Sequence, residues 1–244
     1  MDGRGRHREY RGSVLKLVLR IIGVNALAAV GSRLPFASTR RVVGFLFVLS
    51  NLMPLIAVSR GTAQFFDVYG FFLMEVVVLW AFGMVRILTA TGRGQAPNAA
   101  VVVRSSRIDV DDPRQVARFF SWHFGIFVVL STITTAVLVR HTGGIVAPLS
   151  YWMILLCALL IIHTVDLGLV WFGQDARSRM NPGRAMFVPY PAVLTLYTGA
   201  MVSIGLVLAF GHAGEIASIA VLCGLKALVD VVARFAVAAP AANV

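Results

Sequence analysis

Six stretches of this chain are predominantly apolar around the whole helical circumference: residues 42–58, 65–89, 115–139, 146–172, 190–210 and 215–237. A helix needs roughly 17–25 mainly apolar residues to cross the hydrocarbon of a bilayer, and more if it tilts. A soluble helix would instead show an apolar stripe on one face. The pattern predicts an all-α, polytopic membrane helix bundle with about six transmembrane helices. The first run is at the short limit and holds Pro54, whose effect is read as simple bending. Asn51, one turn earlier, is placed to compensate the backbone bond that the proline removes.

Residues 13–31 show a different pattern. Lys16 and Arg20 share one helical face, and Leu15, Val18, Leu19 and Ile22 lie on the other. This reads as an amphipathic interfacial helix on the inner membrane surface. A seventh span is the competing reading, and it would place two cations in hydrocarbon. Residues 1–12 are polar and rich in arginine, as expected of a disordered tail. The chain thus divides into a basic cytoplasmic tail with its interfacial helix (1–41), the bundle (42–237) and a short cytoplasmic tail (238–244). The longest connection, 90–114, holds Gly92, Gly94, Pro97 and the acidic Asp109, Asp111 and Asp112. Asp112 before Pro113 reads as a helix start, and Asn181-Pro182-Gly183 as a turn.

Composition sharpens the class. Of the 244 residues, 58% are hydrophobic and 14% charged, against about 25% charged in an average soluble domain. The net charge of +11 would suit a nucleic-acid binder, but no element offers base-facing polar or aromatic groups, so no nucleic-acid partner is expected. The cations instead follow topology. With both termini inside, all of the 22 lysines and arginines except Arg60, Arg140 and Lys226 fall on inner segments. This is the bias of cytoplasmic loops, and it places the protein in the cytoplasmic (inner) membrane. The basic N-terminal segment could also hold anionic lipids of the bilayer. Cys157 and Cys223 each fall in a span and read as small buried apolar residues. Gly199 and Ser203 form a small-x-x-x-small pair for close helix contact.

Charge inside the apolar runs changes the picture further. A charge at mid-membrane costs roughly 2.5–3.5 kcal/mol even on the lenient scale, so such groups normally face the interior and have partners. Here they are Glu75, His123, His163, Asp166, Lys226 and Asp230. Depth estimates put them in one layer on the cytoplasmic half, with Glu75 and Lys226 somewhat deeper. His163 and Asp166 are three apart, so the carboxylate can orient the imidazole; Lys226 and Asp230 are four apart and can form an ion pair. The candidate interior polar site is therefore Glu75, His123, His163 and Asp166, supported by the pair Lys226 and Asp230.

Three readings compete for that site. A small transporter or proton/ion relay would use imidazole and carboxylate groups that exchange protons near neutral pH. A metal-dependent intramembrane enzyme would hold a divalent metal on His123, His163, Glu75 and Asp166, although no H-E-x-x-H signature is present. A non-enzymatic scaffold or assembly factor would use the same groups only as clasps between helices.

Several blocks resemble a family of multi-pass prokaryotic integral membrane proteins known as a domain of unknown function. They are Asn51-Leu52-Met53-Pro54-Leu55, Glu75 with Val85-Arg86-Ile87-Leu88, the run from Phe119 to Phe127 around His123, Ile162-His163, and Leu225 to Asp230 with its Lys-x-x-x-Asp. The likeness covers about 42–237 and implies the bundle and its polar layer, with no substrate attached. The chain departs from the family at Phe72 and Leu73, where Tyr-Trp is usual, and at Ala192 and Tyr197, where an arginine and a histidine are usual. It is similar to a divergent member.

The orientation is testable. A fluorescent protein that matures only in the cytoplasm, fused after Val244, is expected to fluoresce, and a phosphatase that needs export, fused at the same place, to be inactive. The reverse pattern overturns the orientation.

Overall fold

The computed structural model describes residues 17, 19–92, 108–142 and 147–238. The basic tail with Lys16, the arginines Arg93, Arg104 and Arg107, the turn glycine Gly94 with Pro97, and the last residues after Ala238 lie outside the described residues, as do the side chains of Arg140 and Arg234. The helices in chain order are α1 (Val24–Gly31), α2 (Phe36–Ser59), α3 (Phe65–Thr89), α4 (Pro113–Thr142), α5 (Leu149–Asp166), α6 (Pro182–Phe187), α7 (Tyr190–Phe210) and α8 (His212–Ala238). A π-helical stretch, Leu167–Gly173, continues α5, and a 3-10 turn follows at Ala176–Arg179. No strand occurs among the described residues, and the fold is an all-α bundle.

Among the described residues five helices are long and apolar enough to cross a membrane: Phe36–Ser59, Phe65–Thr89, Pro113–Ile133, Leu149–Gly173 and Pro182–Ser203. The last apolar run forms the 27-residue α8, which carries Glu215, Lys226 and Asp230. The second and fifth runs coincide with α3 and α7. α2 is longer than the first apolar run because it starts after Pro35 and takes in Arg40, whose guanidinium lies 5.0 Å over the Phe36 ring.

Helix ends follow local chemistry. Gln64 and Asp67 form a capping box at the start of α3, with Gln64 N–H donating to Asp67 Oδ2 at 2.7 Å. Asp112 accepts from the Arg114 N–H at 2.8 Å in front of Pro113, and that bond holds its carboxyl below the usual carboxylate range. The segment Asn181-Pro182-Gly183, expected as a plain turn, is a helix start: Asn181 Oδ1 accepts from Arg184 N–H at 2.9 Å and proline occupies the first turn. α2 ends in a left-handed Gly61, with Thr62 N–H donating to the Ala57 carbonyl at 3.0 Å.

α3 is the central helix. It packs against α2, α4, α5, α6 and α8, while α8 lies between α2 and α7. The Gly199–Ser203 pair does serve close contact: Leu222 of α8 lies against Gly199, and Ser218 Oγ donates to the Ser203 carbonyl at 3.2 Å. Cys223 is buried as expected, but Cys157 is exposed, because its face of α5 points out of the bundle.

α1 is held by backbone contact. It packs on the π stretch, where Gly31 meets Leu169, Gly168 meets Leu27 and Gly173 meets Ala28. Leu19 is buried, whereas Arg20, Ile21 and Ile22 are exposed. Gln174 fastens this corner, donating from Nε2 to the Gly31 carbonyl at 2.5 Å and to the Leu34 carbonyl at 3.0 Å.

A methyl group at Gly31 would sit 2.6 Å from the Leu169 carbonyl oxygen, while one at Gly44 meets nothing within 4 Å. Gly31→Ala is expected to destabilise by about 1–3 kcal/mol through overpacking. Gly44→Ala should be neutral or stabilise by up to about 1 kcal/mol from helix propensity. Thermal unfolding of the detergent-solubilised protein reads both signs.

Candidate functional site

One stripe of α3 carries Glu75, Phe82 and Arg86, which recur at seven and four residues and so share a face. Glu75 lies about 15 Å along the helix from Phe65, and Arg86 about 16 Å further on, at 1.5 Å per residue. The stripe faces a seam also lined by Phe47 and Asn51 of α2, His163 and Asp166 of α5, and Lys226 and Asp230 of α8. Each of these residues is buried.

The upper part of the seam is an ionic cluster. Lys226 Nζ donates to Glu75 Oε1 at 2.6 Å and to Asp230 Oδ2 at 2.5 Å, and Lys226 is 0% exposed. Asp230 Oδ2 also accepts from Asn51 Nδ2 at 2.8 Å. Three helices are thereby tied at one level. The predicted pair of Lys226 and Asp230 forms, and Glu75 joins it. Asn51 had been expected to compensate Pro54; its amide instead bridges the Phe47 carbonyl, at 2.9 Å, to Asp230.

The lower part is an Arg86–Asp166 ion pair between α3 and α5. Arg86 had been counted among the loop arginines that set topology, and it is 4% exposed. His163 stands one turn above Asp166, fully buried. The Phe47 ring is edge-on to it at 5.2 Å and the Phe82 ring lies at 5.4 Å. The Phe47–Asn51 turn therefore reaches from His163 up to Asp230.

His123 lies elsewhere, on α4. It is half-buried; its Nδ1 is 2.6 Å from the Tyr190 hydroxyl of α7 and its ring stacks on Phe119 at 5.5 Å. The same α4–α7 seam continues to Ser131 and Tyr197, whose hydroxyls are 2.6 Å apart. Tyr197 donates to the Phe127 carbonyl at 2.8 Å, so the Ser131 hydroxyl is the donor to Tyr197.

The four residues read as one interior site are thus in three places: Glu75 with Lys226, His163 with Asp166 and Arg86, and His123 with Tyr190. Estimates of depth put them at similar levels, but rotation about each helix axis decides which neighbour each one meets. Among the described residues no three His, Cys, Asp or Glu come together as a metal would require. Asn51, Arg86 and Tyr190 are the partners that depth alone did not reveal.

A family model matches residues 33–243. The chain belongs to that family, a family of unknown function, DUF6498. Comparison with curated proteins gives no match, and neither does comparison with solved structures. Five apolar helices of membrane length among the described residues of a DUF6498 chain fit a multi-pass membrane protein.

Removing the ammonium from this DUF6498 bundle leaves two buried carboxylates facing each other. Lys226→Met is expected to cost about 3–5 kcal/mol, as for other buried pairs deprived of one partner. The triple variant Glu75→Gln, Lys226→Met, Asp230→Asn should recover most of the loss. Chemical or thermal unfolding in detergent measures both, and a Lys226→Met protein as stable as the parent contradicts the cluster.

Proposed function

We propose that this DUF6498 member is a small transporter or relay of the cytoplasmic membrane that moves protons, with Glu75, Lys226 and Asp230 as the proton-holding group. The supporting observation is the pair of carboxylates, from two helices, that share one fully buried ammonium. With all three groups ionised they sum to one negative charge; with one carboxyl protonated they sum to zero. In a low-dielectric interior that difference is large, so proton binding is coupled to how tightly α3 and α8 are held together. Asn51 supplies a further donor to Asp230.

The lower pair extends this reading. His163, Asp166 and Arg86 continue the same seam toward the arginine-rich end, and an imidazole beside a carboxylate is suited to pass a proton on. That end is taken to face the cytoplasm, with the basic N-terminal segment against anionic lipid. The metal-enzyme reading has weaker support, because Glu75 and Asp166, two of its four ligands, are engaged by Lys226 and Arg86.

The test is proton flux into liposomes with an enclosed pH-sensitive dye. The parent protein is expected to dissipate an imposed pH gradient. Glu75→Gln should slow it by roughly a hundredfold, the loss typical when a positioned proton-transfer group is removed, while eluting as a folded species. No flux from the parent under either gradient direction, or equal flux from the variant, overturns the proposal.

A further inference from the structure

Away from the charged column, α3, α4, α7 and α8 enclose a cleft of about 70 Å³. Its floor includes Val76, Leu196 and Leu222, all buried, and its rim Ser131, Thr135 and Tyr197, all half exposed. Val76 and Leu222 bring the floor to the level of the ionic cluster, since Glu75 is the neighbour of the first and Lys226 lies one turn beyond the second. Thr135 places the mouth roughly 10 Å from the α4 end at Thr142, at 1.5 Å per residue. The cleft therefore runs from the Arg60 side of the bundle to its middle.

Three features define the occupant. The rim hydroxyls of Ser131 and Tyr197 are engaged with each other and with the Phe127 carbonyl, so they have little to offer a polar ligand. The floor is predominantly apolar, with the Tyr69 hydroxyl as its one polar group, and a water needs two to four polar partners to settle in such a space. The helices flanking the mouth turn Leu130, Ile133, Met201 and Val202 outward, at 49%, 54%, 76% and 47% exposure. In a bilayer this mouth opens onto hydrocarbon.

We propose that the cleft is a fixed seat for a short segment of one acyl chain of a phospholipid from the leaflet on the Arg60 side, entering between α4 and α7. The chain fills a space that would otherwise leave its lining without contacts. It also wedges a seam where α4 and α7 meet through side chains, His123 on Tyr190 and Ser131 on Tyr197. The seat requires the bilayer but not proton movement, so it stands or falls separately from the proton reading.

The experiment uses the full chain in phosphatidylcholine vesicles containing a phosphatidylcholine with a diazirine on one acyl chain. After photolysis, adducts are mapped by peptide mass spectrometry. Peptides holding Val76, Leu196 and Leu222 are expected to be labelled several-fold above those holding the outward Leu130 and Met201. Val76→Trp, which fills the cleft, should abolish the excess and leave the outward labelling unchanged. If that variant does not elute as a folded species, Thr135→Trp at the half-exposed rim makes the same test. Uniform labelling of the parent, or an excess that survives both tryptophans, overturns the seat. Excess labelling by a photoactivatable free palmitate together with none by the phospholipid probe overturns the assignment to a phospholipid.

Discussion

The bundle is fastened at Lys226. In hydrocarbon, apolar side chains gain little by choosing one neighbour over another, since lipid tails are as apolar as leucine. Rotation and height of each helix must then be set by contacts that fail if shifted. A buried ammonium with carboxylates on α3 and α8, one of them also held by Asn51 of α2, is such a contact. Moving any of these helices by one residue would turn a charged group toward apolar surroundings. Close packing then refines what the charges set, as where Leu222 lies against Gly199.

The second ion pair repeats this logic three helical turns along α3. Arg86 and Asp166 fix α5 to the central helix as Lys226 fixes α8. Between the two pairs the seam is aromatic and imidazole: Phe47, Phe82 and His163. α3 thus separates two systems. One is this polar column on the side of α2, α5 and α8. The other is the α4–α7 seam of His123, Tyr190, Ser131 and Tyr197, which borders the cleft.

How much of this was legible in the sequence depended on the range of the interaction. Apolar runs gave α3 and α7 with their ends, and helical spacing gave the Lys226–Asp230 pair, because both are local. The partner of Glu75 was not legible, since depth along a span does not tell which way a side chain points. Arg86 was misread for a related reason. At the end of a span an arginine looks like a topology signal, and only the packing of α5 against α3 shows that it turns inward. The start of α6 was hidden by its own residues, since asparagine, proline and glycine serve a helix start and a turn alike. Cys157 was misplaced because an apolar run does not distinguish the inward face from the outward one.

The corner held by Gln174 implies an order of assembly. The α1 contact joins residues 143 positions apart, Gly31 and Gln174, and depends on glycines in both partners. While the chain is being made, α1 emerges long before the π stretch that receives it. For that interval its Leu27, Ala28 and Gly31 lack the π-stretch partners that later receive them. The same segment is therefore without its partner early in synthesis and a structural wedge at its end. The contact cannot close before Gln174 has been made, and the entropy of closing so long a loop grows only slowly with its length.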